Sequence, residues 1–185
     1  MRIRRKLISQ TVDNVLEGVP DASTAKGFID PYIIAKSFDI EVRPADLDGS
    51  LSGFIIRDES GKVFIGVNER DSERRRRFTV AHELGHYFLH DRNEPFLDGP
   101  TGRFRIMARD DVSREGTDPR EIEANLFAAE LLMPTERIRA DLEEHGHLDF
   151  IDEEDKFISE LASKYQVSVR ALTIRLERLG YVQEL

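Results

Sequence analysis

Phe78-Thr79-Val80-Ala81-His82-Glu83-Leu84-Gly85-His86-Tyr87-Phe88-Leu89 is the stretch on which the reading of this chain turns. Residues four apart on an α-helix project from one face. His82 and His86 therefore point the same way, near enough to share one divalent ion. Glu83 lies beside that ion without having to bind it. Neutral imidazoles suit zinc, and two protein nitrogens leave room for a carboxylate and a water. Zinc acidifies such a water and polarises a carbonyl, and Glu83 is placed to take the proton. The spacing is a metallopeptidase signature. Phe78, Ala81, Leu84, Phe88 and Leu89 supply an apolar surface for a buried helix that Asp71 or Ser72 caps and that ends near His90. Gly85 costs such a helix about 1 kcal/mol relative to Ala. Its presence between the histidines is sensible if another element packs closely there.

A catalytic zinc needs a third protein ligand. A second helix begins at Asp118-Pro119 and stops before Pro134, offering Glu121, Glu123 and Glu130. Glu121 and Asn125 share a face. Ala124 and Ala128 lie near it and allow close approach, so Glu121 is the favoured ligand and Asn125 a group that orients a ligand through a hydrogen bond. Two alternatives stay open. Asp118-Pro119-Arg120-Glu121 resembles a capping box, which would occupy Glu121. Glu123, on nearly the opposite side, would then serve instead. His90 is expected at a frayed helix end, and Asp91 is a weaker candidate.

Working outward, Asp30-Pro31 starts a helix Pro31–Phe38 that buries Ile33, Ile34 and Phe38, after a loosely helical lead-in over residues 1–28. A strand follows at Ile40–Arg43. Phe54–Ile56 and Val63–Val67, joined by Asp58–Lys62, read as a hairpin. Phe104–Met107 suggests another strand. Thr135 caps a third helix ending at His145-Gly146. The acidic stretch 149–155 reads as solvated. Phe157–Tyr165 and Val169–Leu179 are helices, the last capped by Ser168 and ended by Gly180. The fold class is α+β: a small mixed sheet beside the zinc-motif helix, in residues 1–146, with a helical appendage in residues 147–185.

Cysteine is absent from the 185 residues, which excludes disulfides, Cys-ligated zinc and cysteine nucleophiles. The basic start, Met1–Lys6, precedes no apolar run, and no stretch is long enough to span a membrane. A cytoplasmic protein without a membrane partner is expected. A net charge of −9 argues against nucleic acid as the main partner.

Arg77–His86 followed by Glu121-Ile122-Glu123-Ala124-Asn125-Leu126-Phe127-Ala128-Ala129-Glu130-Leu131-Leu132-Met133-Pro134 resembles the ImmA/IrrE family of metallo-endopeptidases. The resemblance runs from about Pro31 to Pro134 and more weakly to the end. It implies a zincin-like domain binding Zn2+ through His82, His86 and Glu121, with Glu83 as the catalytic glutamate. It also implies a bacterial, phage or mobile-element setting, in which members cleave or inactivate a helix-turn-helix repressor and so switch on stress or mobility genes. Some members are paired with partners in toxin–antitoxin-like modules.

Three further features carry expectations. Arg74–Arg77 at the start of the zinc-motif helix reads as a solvated face paired with carboxylates, with Arg77 partly buried beside Phe78, and with docking of an acidic partner or a nucleic-acid backbone as the alternative. The hairpin offers an edge to which a substrate strand can add. Leu161–Leu172 reads like a helix-turn-helix whose second helix, Val169–Leu179, would present Arg170, Arg175 and Arg178 to DNA in a DNA-binding version; the alternative is a hairpin packed on the rest through Leu172, Ile174, Leu176 and Leu179, helping to recognise a protein. A second functional reading is therefore a partner- or DNA-binding regulatory module that keeps the scaffold without turnover.

Overall fold

Helix α1, Arg5–Gly18, turns Ile8, Val12 and Val15 inward at three- and four-residue spacing. The lead-in is thus a defined helix, followed by a 3-10 turn at Pro20–Ala22. The structure is a computed structural model describing residues 3–48, 51–90, 118–145 and 151–181, with the side chains of 145 and 151–155 left aside. Asp91 and the strand expected at Phe104–Met107 lie outside the described residues.

Helix α2 spans Pro31–Ser37, with the Asp30 carboxylate accepting from the Tyr32 amide at 3.0 Å. Ile34 is fully buried, but Phe38 follows the last helical residue and stays 38% exposed, its ring edge-on to Phe88. The expected burial of Phe38 is therefore corrected: the helix ends just before it can turn inward.

Strands β1 (Ile40–Ala45), β2 (Gly53–Arg57) and β3 (Val63–Asn68) form a mixed sheet in the order β1-β3-β2. The anticipated hairpin is present, antiparallel, with Ile55 opposite Ile65. Its turn is held by Asp58, whose Oδ1 accepts from the amides of Ser60 and Lys62. β1 joins the other side of β3 in parallel. That makes β3 the central strand, and its near-continuous apolar run is buried accordingly.

Helix α3 (Glu73–Leu89) lies between the sheet and helix α4 (Pro119–Leu132), and α1 packs on α4. Ser72, not Asp71, caps α3. Gly53 allows β2 to close on α3, since a Cβ there would sit 2.3 Å from Thr79 Cγ2 and 2.7 Å from the Gly66 carbonyl. The arginine run is only partly a solvated face. Arg75 binds the Ser52 hydroxyl, fastening the approach to β2, and Arg74 reaches Ser163. Arg77 is buried, donates to the Ile29 carbonyl at 2.7 Å and lies over the Phe28 ring.

Among the described residues, three helices follow: α5 (Thr135–His145), α6 (Ile151–Tyr165) and α7 (Val169–Leu179). Thr135 is the first helical residue of α5, not its cap; its hydroxyl donates to Glu130. Helix α6 starts at Ile151, within the stretch expected to be solvated. Ser168 caps α7 by accepting from the Ala171 amide, and Gly180 ends it at φ 81°.

Two expectations about α7 are overturned. Arg175 faces inward and is 6% exposed; it donates to Glu130, to the Thr135 hydroxyl and to the Met133 carbonyl. Ile174, read as apolar packing, is 38% exposed. The helix is rotated so that Leu172, Arg175 and Leu176 form its inner face. Among the described residues, no helix is long and apolar enough to cross a membrane.

Candidate metal centre

The site is built where α3 and α4 cross. The crossing is close because residue 85 has no side chain. A Cβ there would meet the Ala124 Cα at 3.0 Å, the Ala124 carbonyl at 3.1 Å and Phe127 Cβ at 3.2 Å. Gly85 and Ala124 thus allow the first turn of α4 to reach the histidines. Asp118 caps α4 by accepting from the Arg120 amide at 2.9 Å. Glu121 does not complete a capping box; its carboxylate faces the imidazoles instead.

His82 Nε2 and His86 Nε2 lie 3.0 Å apart. Glu121 Oε2 is 3.3 Å from the first and Oε1 is 3.1 Å from the second. His82, His86 and Glu121 are the group whose ligand atoms lie within 4.8 Å of one another among the described residues. Glu83, one residue past His82, is 7% exposed. Asn125 accepts from His82 Nδ1 at 3.0 Å. That bond keeps the His82 proton on Nδ1 and turns the Nε2 lone pair toward His86 and Glu121.

The donor set fits a metal ion on an observation independent of the motif. Glu121 Oε1 is buried without a hydrogen bond, its contact with His86 being close but not aligned. Two nitrogen lone pairs and an unpartnered buried carboxylate oxygen converging on one point call for a cation there. Two nitrogens and a carboxylate are the donors that zinc accepts in an open site.

The profile of the family described as IrrE N-terminal-like domain matches residues 35–177, well over half of the chain. The chain belongs to the ImmA/IrrE metallopeptidase family. The fold is accordingly the zincin-like α+β architecture that this family shares. Uncharacterized immunity region protein 2 of Bacillus phage phi105 is 37% identical over 105 residues, which cover 56% of this chain and 58% of that protein. Metallopeptidase ImmA of Bacillus subtilis (strain 168) is 29% identical over 85 residues, covering 46% of this chain and 43% of that one. The chain thus spans about half the length of these curated relatives.

Electrostatically, this ImmA/IrrE site favours positive charge between the imidazoles. Burial pushes the Glu121 carboxyl up, but contacts with His82 and His86 outweigh it and hold the group well below the usual carboxylate range. Burial pushes His86 down, but the Glu121 contact and the charges of Glu83, Glu121 and Asp118 leave it raised.

The other glutamates of α4 are occupied elsewhere. Glu123, fully buried, is bound by Arg4 through the backbone amide at 2.9 Å and through the guanidinium. The Arg4 contact is the main reason its carboxyl falls to about 2. Glu130 is engaged by Arg175 and Thr135. His90 is the residue that sequence reasoning underrated. Helix α3 closes at Leu89, but the His90 amide still donates to the His86 carbonyl at 3.2 Å and holds the residue on the helix path. Its side chain is 11% exposed, with Nδ1 3.0 Å from His86 Nδ1 and Nε2 3.4 Å from Glu123. Burial and the neighbouring His86 push its pKa down to about 4, so the ring is neutral at pH 7. The signal was its position, four residues beyond His86 on the same face.

Proposed function

We propose that this protein is a zinc-dependent endopeptidase that cleaves or inactivates a partner protein, a helix-turn-helix repressor, and so derepresses stress or mobile-element genes. The observation that carries this reading is the convergence of His82, His86 and Glu121 with Glu83 buried beside them. These three residues would hold the ion. When bound, zinc supplies Lewis acidity toward a carbonyl and acidifies a water.

The chain's own residues do the rest. Glu83 accepts the proton of the attacking water and returns it to the leaving amine. Asn125 fixes the tautomer and orientation of His82. The close α3–α4 crossing holds the ligands in place. Among the described residues, the outer edge of β2 pairs with no strand, and β2 lies against α3. An extended substrate adding there as a strand would run beside the site.

The relatives' names support the biological side of the proposal, one being called an immunity region protein of a phage and the other a metallopeptidase. The proposal assigns metal chemistry to residues 1–146 and partner recognition to the helix-turn-helix-like residues 147–185, in a cytoplasmic protein. With Arg175 turned inward, the outer face of α7 combines exposed Arg170 with Ile174, 38% exposed, while Val169 at the start of the helix and Tyr181 beyond its end are 44% and 41% exposed. Apolar residues of that size suit a protein surface better than a phosphate backbone.

The test is a reconstituted mixture of the zinc-loaded protein and the repressor encoded beside it. The wild type should cleave the repressor. Glu83→Gln should cut the rate by about 10²–10⁴-fold with zinc content unchanged. Stable binding without cleavage, zinc supplied, would favour the regulatory-module reading and overturn this one.

A further inference from the structure

The two histidines of the metal motif are held from behind in different ways. His82 is answered by one residue, Asn125. His86 is answered by a chain of groups. Its Nδ1 lies 3.0 Å from His90 Nδ1; His90 Nε2 lies 3.4 Å from Glu123 Oε2; Glu123 is clasped by Arg4. Arg4 also donates from Nη2 to the Leu89 carbonyl at 3.1 Å, at the C-terminal end of α3, where a cation is favoured.

Proton placement along this chain is determined from both ends. An imidazole that offers Nε2 to a metal carries its proton on Nδ1 and must donate it. The group facing His86 Nδ1 is His90 Nδ1, which can accept only if the His90 proton sits on Nε2. There it points at Glu123, an acceptor kept anionic by the guanidinium and backbone amide of Arg4. One tautomer of His90 satisfies both contacts. The arrangement is a histidine–carboxylate relay aimed at the back of a metal-facing imidazole, running from α3 through α4 to the start of α1, residues separated by 119 positions in sequence.

We propose that His90 is a positioning residue for His86, and that Glu123 and Arg4 act through it, so that the N-terminal segment of the chain sets metal affinity at a site it does not touch. The inference rests on the metal-centre reading above. A carboxylate at the end of such a relay makes the ligating nitrogen more basic and fixes the ring plane. The competing account is that Arg4, Glu123 and His90 merely fasten α1 to α3 and α4. On that account variants lower the stability of the metal-free fold and leave its affinity for zinc alone.

The experiment measures zinc affinity by competition with a chromogenic chelator, the Co(II) ligand-field spectrum, and the melting temperature of the metal-free protein, on the full chain. His90→Leu should weaken zinc binding by about 10–100-fold, the usual cost of losing such a partner, and shift the Co(II) bands. His90→Gln, whose amide can accept from His86 and donate to Glu123, should recover most of that loss. Arg4→Met should weaken zinc binding less than His90→Leu. The double variant should bind zinc no more weakly than His90→Leu alone, because the relay is already cut. Wild-type affinity in His90→Leu, or strictly additive losses in the double variant, would overturn the proposal. Should His90→Leu fail to fold, unchanged zinc affinity in Arg4→Met overturns it instead. Failure of the wild type to bind zinc would sink the metal-centre reading itself, a result distinguishable from either.

Discussion

Helix α4 carries two half-buried glutamates, Glu121 in its first turn and Glu130 near its C-terminal end, whose side chains are equally exposed, 16% each. Their surroundings differ. Glu130 at the C-terminal end meets a guanidinium, a hydroxyl and a backbone amide, all supplied by the chain. Glu121 in the first turn meets two imidazoles and keeps an oxygen without a hydrogen bond. Burial alone does not separate a structural carboxylate from a functional one; the source of the countercharge does. At Glu130 it is a guanidinium of the chain; at Glu121 the facing groups are imidazoles whose donor set fits a bound cation.

The largest effect expected to sharpen this contrast is at Glu121. Glu121→Ala should lose stoichiometric zinc while the metal-free protein still folds. Chelation should lower the melting temperature of the wild type and leave this variant unmoved; equal chelator sensitivity would break the comparison. At the other end, Glu130→Ala leaves Arg175 buried and unpaired. Denaturant unfolding should show a loss of about 3–5 kcal/mol, with one zinc per chain retained. Zinc loss there would mean the two ends are not independent. Asn125→Ala should weaken zinc binding by about 10–100-fold with little change in unfolding. The smallest effect is expected at Gly85. Gly85→Ala gains helix propensity of about 1 kcal/mol but forces a methyl against Ala124 and Phe127, an overpacking cost of about 1–3 kcal/mol. A net gain in stability would show that the helices separate more easily than the 3.0 Å from a Cβ at residue 85 to Ala124 Cα implies.

What the sequence made legible was local. The spacing of His82, Glu83 and His86, and of Glu121 and Asn125, follows from helical geometry, and the structure brings these residues to one crossing. Gly85 announced a close neighbour before the neighbour was visible. The order of the strands was not legible, because placing β3 between β1 and β2 depends on contacts distant in sequence. Arg175 was read as a surface cation because charge does not say which way a side chain turns; the helix rotation that buries it also exposes Ile174. His90 was set aside as a frayed end, although its hydrogen bond to His86 and the buried Glu123 hold it in place. The link from Arg4 to Glu123 spans most of the chain and left no local pattern to find.

Anomalous diffraction at the zinc edge, on crystals of the protein purified with zinc, tests the central claim most directly. One peak is expected, about 2.0–2.2 Å from His82 Nε2, His86 Nε2 and a Glu121 oxygen. A peak on other side chains, or none at that crossing with zinc in excess, would contradict the account.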